Sequence, residues 1–412
     1  MSRPSSRIID PVRCSSGSLP HRRVPKAGHP PGERCPGRAV RSGRLALLLL
    51  LASAPARAEP SATILDLPFA ASALRAPGSE VAVAVATSGL LPLARPKADP
   101  SKADPGKIGP RAAPAGEGAP IAVVWGEAGG AALTLAEGGV RVTLLGPEAV
   151  EGLAAAETPR GALPGLARAV SGGLSAHLAE PVAVRGRPEP GAARLVIRER
   201  RPVPVSAEPK AVPVATATVS PAPDAAFAAR SPVVTTFDGQ PALVVVTENE
   251  AGSALGVVGP AEAGWSLRAR GAPEPGRPLQ IAGIADFSGT GRPQIAVTGP
   301  GEGAPRLRLW TYADGNLTPV ATAPGYDAAA PGEGGPGLAA LLPRDGGVDL
   351  ALPVADRSAL AILSLKGGIT ERARVLLPAP AAFGVAALGT GPEARLLVGL
   401  ADGRIAVVNP NP

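Results

Sequence analysis

Ala285-Asp286-Phe287-Ser288-Gly289-Thr290-Gly291-Arg292-Pro293-Gln294-Ile295-Ala296-Val297 is the stretch on which the reading of this 412-residue chain turns. It passes from a strand end, through a loop holding two glycines, into an apolar triplet. Gly289 and Gly291 allow positive φ where the chain must reverse. An aspartate at the head of such a loop suits the capping of backbone N–H groups. Weaker copies recur at Phe237-Asp238-Gly239-Gln240-Pro241-Ala242-Leu243, at Arg344-Asp345-Gly346-Gly347-Val348-Asp349-Leu350, and at Leu388-Gly389-Thr390-Gly391-Pro392-Glu393-Ala394-Arg395-Leu396. The triplets that follow begin at 243, 295, 350 and 396, with spacings of 52, 55 and 46. Earlier triplets begin at 81, 121 and 182 and bring the total to seven. Periods of about 40–50 residues that each hold several short strands indicate a β-propeller. The expectation is therefore an all-β chain, a propeller of seven blades with Pro-rich insertions.

The run Asp286 to Val297 resembles the FG-GAP/VCBS repeat of integrin-alpha-like propellers, whose core pattern is D-x-D-G-D-G-x-x-D followed by an apolar strand. The resemblance is clear over this one repeat, faint over the three copies and weak before residue 233. It implies an exported propeller serving as a binding or scaffolding module, often with calcium in the loop. At the family's ligand positions stand Asp286, Ser288, Thr290 and Gln294, so three carboxylates are replaced by neutral oxygen donors. Calcium needs several hard, mostly anionic oxygens. Two readings follow for the loop: a turn capped by Asp286, or a degenerate calcium site of poor affinity. Asp238, Asp345 and Asp349 stand without a ligand set, and no other cofactor is implied.

The same strand grammar extends outward. Ala131–Leu135 and Val140–Leu144 flank a glycine turn, as do Arg306–Trp310 and Leu317–Val320 around Asp314-Gly315. Ala361–Leu365 turns through Gly367-Gly368, and Leu396–Val398 turns through Asp402-Gly403 into Ile405–Val408. Strand-length runs joined by such turns are hairpin signals. Pairing Thr63–Leu67 with Ile405–Val408 would close the ring and remove an exposed edge. Short helices are expected at 149–157 and 166–178. Residues 94–120, with Lys97-Ala98-Asp99-Pro100 repeated at Lys102-Ala103-Asp104-Pro105, and the Pro-rich residues 201–232 read as mobile insertions, the second suited to extended, polyproline-like or edge-strand chain.

Composition separates a leader from a body. The net charge of +7 arises in residues 1–58, which carry +9, whereas 59–412 carry −2. Val40-Arg41-Ser42-Gly43-Arg44, the apolar run Leu45–Ala52 and Ala56-Arg57-Ala58 follow one another in the order of a secretory signal peptide. The apolar run is too short to span a bilayer. Cleavage is expected after Ala58, with residues 1–39 a disordered extension upstream of a start nearer Val40. Residues 59–412 then form a single propeller in the periplasm or the medium, as a monomer without a membrane span. Both cysteines, Cys14 and Cys35, lie in the leader.

The body excludes several chemistries. It has no cysteine and one histidine, His177, so thiolate and multi-histidine metal centres cannot form within it. His177 has no G-x-S-x-G elbow to serve and reads as a packed or surface residue. Glu248-Asn249-Glu250 is the densest acidic cluster and reads as a solvated loop. Trp125, Trp265 and Trp310 occupy strand positions suited to inter-sheet packing. The balance of charge gives no support for nucleic acid. The expectation is a non-catalytic binding or scaffolding module of the bacterial envelope, its partner a protein or an envelope polysaccharide. Its alternatives are a propeller hydrolase or lyase acting on an envelope carbohydrate, and a structural envelope protein.

Overall fold

The computed structural model describes residues 61–88, 120–136, 139–200, 213–332 and 337–410. The expected signal peptide, the extension before it and nearly all of the 94–120 insertion lie outside these residues. The first strand, β1 (Ala62–Leu65), is set aside for the end of the chain. Five antiparallel meanders of four strands then follow in order. Blade 1 is β2 (Ala73–Arg75), β3 (Ile121–Gly126), β4 (Gly129–Ala136) and β5 (Gly139–Leu145). Blade 2 is β6 (Ala169–Ser171), β7 (Leu174–Val182), β8 (Gly191–Arg200) and β9 (Val214–Val219). A two-residue strand, β10 (Ala226–Phe227), ties β8 to the next meander. Blade 3 is β11 (Val233–Phe237), β12 (Gln240–Asn249), β13 (Gly252–Ala261) and β14 (Gly264–Arg270). Blade 4 is β15 (Gln280–Ala285), β16 (Gln294–Gly299), β17 (Arg306–Ala313) and β18 (Asn316–Pro324). Blade 5 is β19 (Ala340–Arg344), β20 (Gly347–Pro353), β21 (Ala359–Ser364) and β22 (Thr370–Leu376). Blade 6 has β23 (Ala381–Leu388), β24 (Arg395–Leu400) and β25 (Ile405–Val408) from the chain's end, and β1 completes it. The closing register sets Ala62 opposite Val408 and Leu65 opposite Ile405.

Apolar alternation explains the stacking, because inward residues on both faces of a strand bury against different neighbours. In β3, Ala122 and Val124 face blade 6, where they meet Ala386, Leu388, Leu397 and Ile405. Leu342, Leu360 and Ile362 of blade 5 meet Val385, Leu396 and Val398 of blade 6. Leu307 and Leu309 of blade 4 pack on Leu350, Leu352 and Leu363 of blade 5. Val244, Val246 and Leu255 of blade 3 pack on Ile281, Ile295 and Trp310 of blade 4. Leu174, Leu178, Leu195 and Ile197 of blade 2 pack on Leu243, Val245 and Val258 of blade 3. Five apolar junctions therefore lead from blade 2 round to blade 1, and a strand from the start of the chain locks the last blade. That circuit makes the fold a β-propeller.

The sixth junction is built differently. Val123, Ala132 and Leu145 of blade 1 are covered by two helices, α1 (Glu80–Thr87) and α2 (Pro147–Glu157), through Val81, Ala82, Val85 and Val150. Charged pairs then tie these helices to their surroundings. Arg75 donates Nε to Glu157 Oε2 at 2.8 Å, and Arg168, just before β6, donates Nε to Glu80 Oε2 at 2.8 Å.

Four expectations change. Among the described residues there are six four-stranded blades, not seven, because the triplet at Val81 lies in α1. Ser79 accepts a hydrogen bond from the Ala82 N–H and caps that helix. Leu166–Leu178 is no helix: Ala169–Ser171 and the start of β7 are strands whose alternate residues Leu174, Ala176 and Leu178 face blade 3. Within 201–232, residues 214–219 are not a mobile insertion but the edge strand that the proline density also allowed: β9 pairs along β8, because Val-Ala-Thr-Ala-Thr-Val alternates cleanly between flanking prolines. Residues 201–212 lie outside the described residues. Finally, Glu248 is buried, as set out below.

Candidate functional site

In a four-stranded meander, the turn between the second and third strands and the connector to the next blade emerge at the same end. At that end of blades 2 to 5, acidic residues and arginines face one another across the junctions. Glu248, at the end of β12, is only 2% exposed. Its Oε2 lies 3.5 Å from Arg187 Nε in the β7–β8 turn of the preceding blade. Glu189, in the same turn, accepts a hydrogen bond from Arg230 Nη1 at 3.4 Å, and Arg230 also donates to the Ala229 carbonyl at 2.8 Å. Glu274, in the blade 3–4 connector, pairs with Arg308 of β17. Asp327, in the blade 4–5 connector, pairs with Arg277 at 2.7 Å. Buried hydroxyls work alongside these pairs: Ser253 Oγ accepts from Leu279 N–H at 3.0 Å, and Thr298 Oγ1 accepts from Ala328 N–H at 3.1 Å. Each of these three junctions is thus lined by polar groups at its rim over an apolar interior.

Two clefts open between these turns. One, of about 630 Å³, is bordered by Arg185, Asp224, Glu248, Asn249 and Glu250. The other, of about 580 Å³, is bordered by Glu274, Pro300, Glu302, Arg306 and Arg308. Burial pushes the Glu248 carboxyl up from the usual carboxylate range; Arg187 and Arg230 oppose this, and Glu189 adds to it. Its Oε2 accepts no hydrogen bond. Glu250, by contrast, is exposed and pairs with Arg185 at 2.7 Å. The acidic cluster read from the sequence therefore splits. Glu250 is solvated, while Glu248 is held inside by the neighbouring blade, which local sequence does not reveal.

The Asp286 loop lies at the opposite end, between β15 and β16. Asp286 Oδ1 accepts from Thr290 N–H at 3.0 Å and Oδ2 from Gly291 N–H at 2.6 Å. Ser288 Oγ donates to Oδ1 at 3.3 Å and lies 2.8 Å from Thr290 Oγ1. The bond from Gly291, reinforced by those from Thr290, Gly289 and Ser288, lowers the Asp286 carboxyl below its ordinary value. Gly289 and Gly291 have φ of 74° and 81°. Phe287, 1% exposed, anchors the loop in the junction of blades 4 and 5. Gln294 stands apart on β16 opposite Ala285, its Oε1 buried without a partner. Both Asp286 oxygens are directed at backbone donors, and one carboxylate with neutral neighbours does not fit a calcium ion. The arrangement is that of a capped turn. Among the described residues, no three His, Cys, Asp or Glu side chains come close enough to share a metal ion.

His177 is buried on β7, 9% exposed, with Nδ1 unpartnered. Burial, then the positive charges of Arg168 and Arg198, depress its titration. Two of the three tryptophans pack between sheets as expected, and Trp125 packs against helices instead. Trp310 is buried between blades 3 and 4, Trp265 abuts the blade 2–3 core, and Trp125 lies against the α1–α2 cluster beneath the Arg75 guanidinium, 5.0 Å away. No helix among the described residues is long and apolar enough to cross a membrane.

The chain matches no protein-family model and no curated protein. Solved structures similar to it include the β-propeller domain of Myceliophteria thermophila Cps50 (Swd1), at 12% identity and a TM-score of 0.37, covering 68% of this chain and 79% of that one. A puromycin hydrolase mutant complexed with PGG aligns at 18% identity and a TM-score of 0.31, over 68% of this chain and 40% of its own. The RS223 β-xylosidase aligns at 10% identity and a TM-score of 0.31, over 58% and 89%.

Proposed function

We propose that this chain is an exported, non-catalytic β-propeller that serves as a binding or scaffolding module in the bacterial envelope. It engages a protein or an envelope polysaccharide at the end that carries the two clefts. One observation carries the reading: the carboxylates at the blade junctions are spent on arginines of adjacent blades and connectors. Arg187 lies beside Glu248, Arg308 pairs with Glu274 and Arg277 pairs with Asp327, so these carboxylates are partnered within the fold and the clefts beside them present surface to a ligand. Turns at one end of a rigid scaffold are where binding residues concentrate. Export is supported by the leader, and cleavage after Ala58 leaves β1 whole, since that strand starts at Ala62. In this reading the Asp286 loop is an FG-GAP/VCBS-type turn that has kept its geometry on one carboxylate.

A second reading, a propeller hydrolase or lyase acting on an envelope carbohydrate, rests on Glu248. A buried carboxyl with a raised titration, bordering a cleft, has the character of a general acid.

The test is site-specific photocrosslinking in a bacterial host that exports the full chain. A probe at Ala251, on the rim of the larger cleft, is expected to trap a partner, and one at Val320 on the exposed outer strand of blade 4 is not. The exported form is expected to begin at Glu59. Equal capture at both positions, or a chain retained in the cytoplasm with its leader intact, overturns the proposal. Polysaccharide cleavage that disappears in Glu248→Gln favours the second reading.

A further inference from the structure

Five junctions of the ring are apolar on both sides, but at the sixth the face of blade 2 toward α1 and α2 is basic. Register defines that face: Ser175 of β7 lies opposite Arg198 of β8, His177 opposite Val196, and Arg198 and Arg200 lie opposite Thr216 and Val214 of β9. Leu195 and Ile197, between them, point the other way into the blade 2–3 core. The seam holds a cavity of about 170 Å³ lined by Glu80, Arg168, Ser175, Arg198, Arg200 and Val214. Glu80 engages Arg168 through two hydrogen bonds. Among the described residues, the Arg198 and Arg200 guanidinium groups have no ion pair or hydrogen bond. Three guanidinium groups and one carboxylate thus border the same cavity, an excess of two positive charges. At the junctions of blades 2 to 5 the arginines lie beside carboxylates over an apolar interior, whereas Arg198 and Arg200 have no such partner among the described residues.

We propose that the seam between blades 1 and 2 binds a tetrahedral oxyanion, a sulfate or phosphate group, held by Arg198 and Arg200 with Arg168 completing the ring of donors. Guanidinium groups suit this ligand because their planar fork of N–H donors matches oxyanion edges in pairs. The Ser175 hydroxyl supplies a further donor on the same face. Glu80 keeps Arg168 oriented and leaves part of its charge free. The proposal is independent of the clefts assigned above: the larger of them borders the β7–β8 turn of blade 2, whereas this cavity borders the β6–β7 turn at Gly172 and Gly173, the opposite end of that blade.

His177 makes the site measurable. It lies behind the cavity on the same sheet face, and the groups that act on it are Arg168 before β6 and Arg198 on β8, with Glu80 of α1 reaching it through Arg168. A bound dianion offsets those positive charges, so the imidazole must titrate at higher pH when the site is filled. The experiment labels the histidines of the full chain, assigns His177 with a His177→Gln variant, and follows its imidazole resonances by NMR. Inorganic sulfate is the probe, at constant ionic strength set with sodium chloride. The expected result is a saturable shift and an upward move of the His177 titration, with affinity at least tenfold weaker in the Arg198→Gln/Arg200→Gln double variant. Both residues are exposed, so the double variant should keep its melting curve; Arg268→Gln, which removes an exposed arginine on blade 3, should bind sulfate as the parent does. Repeating the titration with inorganic phosphate and with glucose 1-phosphate separates a free ion from an ester group on a sugar. A linear shift equal to that given by chloride overturns the proposal, as does unchanged sulfate affinity in a folded double variant.

Discussion

At the scale of single residues, two carboxylates show what local sequence can and cannot disclose. The partners of Asp286 lie within five positions of it, so the two glycines and the aspartate were enough to read a capped turn. Glu248 looks no different from Glu250 in the chain, yet its neighbours Arg187 and Arg230 come from the preceding blade and the connector. Its burial is a property of the junction. The consequence can be measured. A carboxyl whose folded titration lies above its unfolded one binds its proton more tightly when folded. Its contribution to stability is therefore full below the ordinary carboxylate range and declines as pH rises to the folded-state titration. Glu248→Gln removes that decline. Urea midpoints of parent and variant should diverge with rising pH in the variant's favour, from the ordinary carboxylate range upward. A divergence of the opposite sign would mean that Arg187 and Arg230 outweigh burial.

At the scale of elements, hairpins were legible and the helices only partly so. Asp238-Gly239 and Asp314-Gly315 both have positive φ at the two turn residues, the geometry that an Asp-Gly pair favours between twisted strands. Val81-Ala82-Val83-Ala84-Val85 misleads because alternating valine and alanine satisfies a strand period, while alanine equally favours helix. The context decides it: Ser79 caps, Glu80 sits in the first turn, and Val81, Ala82 and Val85 share the face that covers blade 1. An eight-residue helix is marginal alone and depends on that packing. The cap should matter correspondingly. Ser79→Ala is expected to lower stability by about 1 kcal/mol, read from urea denaturation. Amide exchange should show the loss concentrated in α1 ahead of the central strands. An unchanged midpoint would show that the packed valines alone hold the helix.

At the scale of the whole molecule, the ring was readable from the recurrence of triplets, but the blade count depended on one element. The sixth junction replaces a sheet face with two helices and ion pairs, and no periodicity in the sequence marks such an exchange. Closure by β1 was foreseeable, since two unpaired strand-like runs remained at either end of the body. It carries the last prediction. Thr63 lies opposite Val407, 344 positions away, and opposed residues in an antiparallel pair place their Cβ atoms within reach of a disulfide. The chain from Glu59 onward contains no cysteine, so a Thr63→Cys/Val407→Cys pair made in it can form only the intended bond. If β1 closes blade 6 in solution, that bond forms on oxidation without a change in the circular dichroism spectrum. It should then raise stability by about 2–4 kcal/mol over the reduced form, because a cross-link spanning nearly the whole chain restricts the unfolded state most. The measurement is the urea midpoint of the oxidised variant with and without reductant. Failure of the thiols to couple, or coupling that lowers the midpoint, would mean that β1 does not sit on β25 and that blade 6 ends at its third strand.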